Sequence, residues 1–123
     1  HRYDVLARPG WMAGAPARPA WHAMHQDQVF AIPGDATQLA RSDFCEYAML
    51  AYGDPEAPDA ISIQAHPEFG MDYARDLVLR RRGAGIPEPV AETALKSFGA
   101  PVDAENFARW TLAYLERRLR QAA

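Results

Sequence analysis

In the stretch Ala60-Ile-Ser-Ile-Gln-Ala-His-Pro-Glu-Phe69, a strand-like apolar run ends at Ala65 and two ionisable side chains follow at once. Beyond this stretch the hydrophobic period becomes that of a helix, since apolar residues share one helical face at Met71, Ala74, Leu77 and Val78. Functional side chains often lie at the carboxyl ends of strands, where a rigid element delivers them into a crevice. The sequence therefore places its candidate chemistry at His66 and Glu68.

His66 and Glu68 are two residues apart, so in an extended segment their side chains point to the same side. Pro67 fixes a backbone dihedral between them and stiffens the link. A carboxylate that holds one imidazole nitrogen leaves the other as a proton acceptor, and this pair is the base and orienting residue of a nucleophilic triad. The pattern also fits a surface histidine beside a glutamate that caps the next helix, and spacing does not separate the two interpretations.

The composition is that of an ordinary globular chain and excludes several classes of protein. The chain has 123 residues, 49% hydrophobic and 24% charged, which suffices for one modest domain. A formal net charge of −3 argues against a nucleic-acid partner, and no uncharged run approaches the ~20 apolar residues of a membrane span. The single cysteine, Cys45, excludes an internal disulfide and multi-cysteine zinc sites. We therefore expect a cytoplasmic location, no metal and no cofactor.

The first half of the chain predicts short strands separated by turns. The candidates are Arg2–Ala7, Trp21–Met24, Gln28–Ile32, Thr37–Ala40, Glu46–Tyr52 and Ala60–Ala65. Segments rich in proline and glycine separate several of them, among them Arg8–Pro19 and Pro33-Gly34-Asp35. Such close spacing is typical of an antiparallel meander.

The second half predicts three helices: Met71–Arg82, Pro87–Phe98, and one that Asp103 caps and that runs to about Arg120. Gly83-Ala84-Gly85 ends the first helix. The cluster Arg80–Arg82 fits cations at a helix carboxyl end better than a phosphate-binding patch. The third helix has a stripe of large apolar residues, which faces either the core or a partner: Phe107, Trp110, Leu112, Tyr114, Leu115 and Leu119.

Three segments together resemble a known family. They are Trp21-His-Ala-Met-His-Gln-Asp-Gln-Val29, Ser42-Asp-Phe-Cys45 and Ile63-Gln-Ala-His-Pro-Glu-Phe69. In this order and spacing they resemble the class I (triad-type) glutamine amidotransferases, and most of all the members similar to the amidotransferase domain of GMP synthase. The motif-bearing part is residues 1–82, and the helical tail of residues 83–123 matches no family segment.

The resemblance implies an enzyme that hydrolyses the side-chain amide of glutamine with a Cys-His-Glu triad. His66 matches the general base and Glu68 the residue that orients it. Gln26 and Asp27 match a segment whose backbone contacts the glutamine, and an ammonia acceptor would be a further, unidentified partner. From the residues alone, His25 and Asp27 fit a polar turn hydrogen-bonded to neighbouring strands equally well.

The chain departs from the family pattern in one important respect. The nucleophile should lie in a Gly-x-Cys-x-Gly turn upstream of these motifs, and the sequence has no such turn. Cys45 lies in a segment that matches no catalytic cysteine of the family. We therefore interpret residues 1–123 as the C-terminal part of a single domain, whose nucleophile lies in an N-terminal half on the same or a complementary chain.

The fold implied is α/β, with a flavodoxin-like parent domain to which this portion contributes antiparallel strands and C-terminal helices. Two alternatives remain at the level of sequence. One is a non-catalytic remnant of the family that keeps the fold for binding or regulation. The other is an autonomous hydrolase that uses Cys45 together with His66.

Overall fold

The computed structural model describes residues 1–122 and has an α/β architecture. By their contacts, the residues fall into two compact units. The first unit combines His1–Pro67 with the segment from Val102 onward, and the second is Glu68–Pro101. The division at residues 82 and 83, which follows the extent of the family motifs, remains a prediction about the parent domain.

The sheet of the first unit is an antiparallel meander of four strands, as the spacing of the turns predicts. The strands are β1 (Asp4–Val5), β2 (Ala36–Arg41), β3 (Met49–Tyr52) and β4 (Ala60–Ile63), and their spatial order is the order of the sequence. A register shift between Gln38 and Ala40 interrupts the pairing of β2 with β3. β4 is the last strand of the sheet within the described residues. The four-stranded antiparallel sheet therefore agrees with the predicted portion.

Two of the six predicted strands are not strands in the structure. Neither residues 21–24 nor residues 28–32 form a ladder, and the segment Arg2–Ala7 shrinks to β1 and one bridge between Arg2 and Ala20. The backbone near Trp21 makes its hydrogen bonds elsewhere, because the Ala20 amide donates to the Asp103 carboxylate (2.8 Å). Alternating hydrophobicity is therefore misleading here, because the apolar side chains of this segment pack against a helix rather than in a sheet.

The core of the first unit is built around tryptophans. Trp21 is buried and packs edge-to-face on Trp110, with ring centroids 5.9 Å apart. Its indole N–H donates to the Asp103 carbonyl at 3.2 Å, which satisfies the polar atom of a buried aromatic side chain. Tyr3 and two buried residues of β3, Met49 and Ala51, belong to the same cluster. The helix from Ala104 is thus fixed to the sheet through aromatic side chains.

This helix is α3 (Ala104–Ala122). Part of its apolar stripe faces the core and part faces solvent. Phe107, Trp110 and Tyr114 pack into the core, as the first interpretation predicts. The leucines at 112, 115 and 119 are instead exposed. Asp103 lies directly before the helix, where a capping residue is expected, and its carboxylate accepts hydrogen bonds from Ala20 and from the Asn106 side chain.

The second unit holds two helices, α1 (Met71–Arg81) and α2 (Glu88–Ser97). α1 ends before Gly83, whose φ of 70° is a conformation that favours glycine, so the predicted stop is confirmed. After the turn, the Arg82 guanidinium pairs with the carboxylates of Glu88 (2.5 Å) and Glu92 (3.6 Å). None of the described helices is both long and apolar enough to cross a membrane.

Candidate active-site segment

β4 ends at Ile63, and a bend at Gln64 and Ala65 leads to His66. The amide of Gln64 donates to Ala48 O (2.9 Å) and the amide of His66 donates to His22 O (2.7 Å). The first bond joins this segment to the residue before β3, and the second joins it to the segment that contains Trp21. Ala65 is buried, and His66 is half-buried at the end of this segment. The backbone of His66 is therefore held by a long-range hydrogen bond, and the catalytic role of this residue remains a prediction.

His22, whose carbonyl accepts this hydrogen bond, follows Trp21, and Trp21 makes two hydrogen bonds of its own. Trp21 N–H donates to His1 O at 3.0 Å, and the Trp21 indole reaches the amino end of α3. His22 follows and is partly buried, and burial lowers the pKa of its imidazole.

Gln26 and Asp27, the predicted substrate contacts, have exposed side chains. The Asp27 carbonyl lies 3.0 Å from Nδ1 of His25, and the His25 ring packs on Phe44 with a centroid distance of 5.3 Å. Phe44 in turn contacts the ring of His1 at 5.0 Å. The structure therefore fixes the turn at His25–Asp27 against the residue that precedes Cys45. The assignment of Gln26 and Asp27 to glutamine remains a prediction.

Cys45 lies in a tight turn with Ser42. Ser42 N–H donates to Cys45 O (2.8 Å), and Cys45 N–H donates to the Ser42 hydroxyl oxygen (3.0 Å). The side chain is fully buried, and its thiol donates to the Gln64 side-chain oxygen at 3.4 Å. Burial raises the pKa of the Cys45 thiol, and the adjacent Glu46 carboxylate adds to the shift. A reactive cysteine must be exposed and easily ionised, and Cys45 is neither. Its surroundings are those of an inert structural cysteine.

Glu68 is the first residue of the second unit, while His66 belongs to the first. Its side chain is exposed, and Pro67 between the two is buried. The structure thus places the two residues of the predicted dyad on either side of a boundary between units. Their pairing remains a prediction.

The sequence did not predict the contacts between segments that are distant in the chain. Gln64 was not singled out, although it lies two residues before His66 and the strand alternation gives it the same side. Phe44 lies in one of the three family-like segments, but its contact with the His25 ring has no local signal in the sequence. Within residues 1–122, no group of three or more His, Cys, Asp or Glu side chains is arranged to hold a metal ion.

Comparison with known proteins supports the general superfamily of class I glutamine amidotransferase-like hydrolases, and it does not support the GMP synthase-like subtype. One similar protein is gamma-glutamyl peptidase 3 of Arabidopsis thaliana, which is 37% identical over 65 residues. The match covers 53% of this chain and only 24% of that protein, so the chain corresponds to about a quarter of its curated relative. No protein-family model matches the chain.

Proposed function

We propose that the chain is the C-terminal part of a class I glutamine amidotransferase-like hydrolase that cleaves γ-glutamyl amides. One observation carries the proposal: the three sequence segments that suggested the family meet in space at the end of β4. His66 is bonded to His22 (2.7 Å), the Cys45 thiol to Gln64 (3.4 Å), and the His25 ring packs on Phe44 (5.3 Å). These segments are remote in sequence, so their meeting favours a common site over three independent surface turns.

In the proposed site, His66 is the general base and Glu68 holds its imidazole in the productive tautomer. A cysteine outside this chain supplies the nucleophile. Its thiolate attacks the γ-carbonyl carbon, and the imidazolium donates a proton to the departing nitrogen as the C–N bond breaks. Water, deprotonated by His66, then cleaves the thioester and releases glutamate and the thiol. Backbone groups of Gln26 and Asp27 would hold the glutamyl part of the substrate.

The leaving group divides the proposal into two versions. If the substrate is glutamine, the leaving group is ammonia, as the resemblance to amidotransferases implies. If the substrate is a γ-glutamyl peptide, as the name of the similar plant protein suggests, the leaving group is an amino acid or peptide. Both reactions break the same γ-glutamyl C–N bond, so the same His66 chemistry serves either of them.

The complementary half would supply the rest of a flavodoxin-like sheet. β4 has no strand neighbour on its outer side within the described residues, and such an edge is ready to pair with another strand. A strand added there would lie next to the segment that ends at His66. We propose this edge as the attachment point of the nucleophile-bearing half, and a reducing cytoplasm as the compartment of the assembled enzyme.

The test is glutamate release by the complete enzyme, meaning this chain together with its nucleophile-bearing half. Glutamine and a γ-glutamyl dipeptide are assayed in parallel, with free glutamate as the readout. Hydrolysis of either substrate that is lost in His66→Ala and kept in Ser62→Ala, an exposed residue of the same strand, supports the proposal. A complete enzyme that binds γ-glutamyl compounds without hydrolysing them would instead identify a non-catalytic remnant.

A further inference from the structure

Helix α3 has a second apolar face that the core does not use. Leu112, Leu115 and Leu119 are 58%, 50% and 72% exposed, whereas Trp110 is 2% exposed. Because successive helical residues are 100° apart, the three leucines form one stripe on the side opposite Trp110. Exposed apolar stripes of this kind on otherwise polar helices mark interaction sites.

The spacing of the stripe is that of a coiled-coil seam. Ala108, Leu112, Leu115 and Leu119 are separated by four, three and four residues, and we call this set the leucine face. An alternation of threes and fours keeps side chains on a seam that faces a second helix throughout. A solvent-facing helix needs no such regularity, so the pattern indicates a helical partner.

The charges beside the leucine face indicate which partner. Arg109 and Glu116 lie on the same flank, two turns apart, and their charges are opposite. In an antiparallel pair of identical helices, each flank meets the same flank of the other copy. Arg109 then faces Glu116 of the second copy, and the symmetry axis repeats the pair. In a parallel pair, Arg109 faces Ala104 of the other copy and Glu116 faces Thr111. Neither of these partners carries a charge.

The present contacts of these two residues leave them available. Arg109 donates to the Asn106 side chain of its own helix, and Glu116 lies 3.9 Å from Arg120. Exposed pairs within one helix contribute little to stability, so exchanging them for pairs between copies costs little. On the other flank, Arg118 is already paired with Asp59 at 3.3 Å.

We propose that the leucine face is the interface of a two-fold symmetric dimer of this chain, with the two α3 helices antiparallel. Leu112 of one copy packs on Leu115 of the other, and Leu119 packs on Ala108. One helix from each copy buries well under the ~800 Å² per partner of a standard interface, so the dimer is reversible, with a Kd of micromolar order or weaker.

Sedimentation of the full chain across a broad concentration series tests self-association. The expected result is a mass that rises toward twice the monomer mass for the wild type and for Leu6→Glu, since Leu6 is an exposed leucine (49%) outside α3. Leu115→Glu should remain monomeric with an unchanged unfolding midpoint, because its side chain is already half in solvent. A wild type that is monomeric at every concentration, or equal effects of the two variants, would overturn the proposal.

Charge reversal tests the orientation without touching a leucine. Arg109→Glu and Glu116→Arg should each weaken dimerisation by about tenfold, because each places like charges opposite one another twice in the dimer. The double variant should return to within about threefold of the wild type. Single variants that weaken the dimer without rescue in the double variant would exclude the antiparallel pairing.

Disulfide formation gives a direct readout of register. Ala108→Cys combined with Leu119→Cys should yield a covalent dimer on mild oxidation, and Ala108→Cys alone should not. The two positions are 11 residues apart on one helix, which is ~16 Å and too far for a bond within one chain. Cys45 is buried and stays out of the reaction. Efficient crosslinking of Ala108→Cys alone would indicate parallel helices, and a wild type that pairs only with a different polypeptide would exclude self-association.

Discussion

His66 and Cys45 both belong to the first unit and lie near Gln64, yet their surroundings differ. His66 is half-buried three residues after the end of β4, and its amide donates to His22 O. Cys45 is fully buried in a turn, its thiol is bonded to Gln64, and its pKa is raised. A cysteine near a candidate site is therefore not by that fact a nucleophile, since a reactive thiol must be both exposed and ionised.

The largest effect expected from this comparison concerns the chain by itself. If Cys45 is structural, residues 1–123 contain no nucleophile and should release no ammonia or glutamate from γ-glutamyl substrates. The measurement is glutamate release by the purified chain, with mass spectrometry to show that no second polypeptide is present. Turnover in such a sample that disappears with Cys45→Ser would make Cys45 the nucleophile.

The next largest effect belongs to His66 in the complete enzyme. His66→Ala should lower kcat by at least ~10²-fold, because the thiol stays protonated at neutral pH and the leaving nitrogen receives no proton. KM should change little, and the dependence of kcat on pH should flatten, which a purely structural role would not produce. His25→Ala is a suitable comparison within the neighbouring segment. A near-wild-type rate in His66→Ala would remove this residue from the mechanism.

Glu68→Gln should have a smaller effect than His66→Ala. Its proposed role is to orient the imidazole and stabilise the imidazolium, while His66 carries out the proton transfers, so we expect a loss on the order of ten- to a hundredfold in kcat. Substrate binding, measured by KM, should remain close to wild type. A greater loss than in His66→Ala would mean that the two roles are assigned the wrong way round.

The buried thiol also predicts how stability depends on pH. Burial raises the folded-state pKa of Cys45 above its ordinary value of 9.0 and that of Tyr3 above 10.0. The folded state therefore holds these protons longer than the unfolded state. Stability is fully present below pH 9.0 and falls as pH rises through the folded pKa values, by up to about 1.4 kcal/mol per pH unit and group. The measurement is urea unfolding at neutral and alkaline pH.

Tyr3→Phe should reduce the alkaline loss of stability, because it removes the hydroxyl and keeps the buried ring. The Tyr3 hydroxyl has no hydrogen-bond partner among the described residues, so its removal leaves no acceptor or donor unpaired. Tyr73→Phe, at an exposed tyrosine, is the matched control and should leave the pH dependence as it is. Equal slopes in Tyr3→Phe and the wild type would show that burial does not perturb this group.

The smallest expected effect is that of Cys45→Ser on turnover of the complete enzyme. We expect kcat within about threefold of the wild type and a loss of stability of roughly 1 kcal/mol, typical of a point substitution. In the folded wild type, a thiol reagent should react with Cys45 only after unfolding. Rapid labelling of the native chain, together with abolished turnover of a folded Cys45→Ser variant, would make Cys45 the nucleophile and not a structural residue.

Local patterns predicted the elements whose formation depends on nearby residues. The three helices were anticipated to within a few residues of α1, α2 and α3, because the helical period and the glycine at position 83 are local signals. β2, β3 and β4 were found for a similar reason, with longer bounds predicted than observed for β3 and β4. The strands predicted at 21–24 and 28–32 were wrong, since Trp21 packs on Trp110 of α3 and Phe30 is 92% exposed.

The candidate site residues were predicted from the sequence, whereas the residues that contact them are known only from the structure. The apolar run predicts a strand that reaches Ala65, whereas β4 ends at Ile63 and a bend precedes His66. The bond from the His66 amide to His22 was not predicted, because 44 positions separate the two residues in the chain and no local signal connects them. The contact of Gln64 with Cys45 has the same origin in long-range packing.

The sequence by itself determined the three helices and the strands β2 to β4, since these depend on periodicity and on residues adjacent in the chain. The α/β class was implied by the family resemblance. Only the tertiary structure decided which apolar face of α3 is core. Both faces carry large hydrophobic residues at helical spacing, so a pattern cannot rank them. Burial of Trp110 against Trp21 settles the choice and leaves Leu115 and its neighbours in solvent. The physical reason is that helical period is a local property, whereas burial depends on which distant side chains arrive to cover a face.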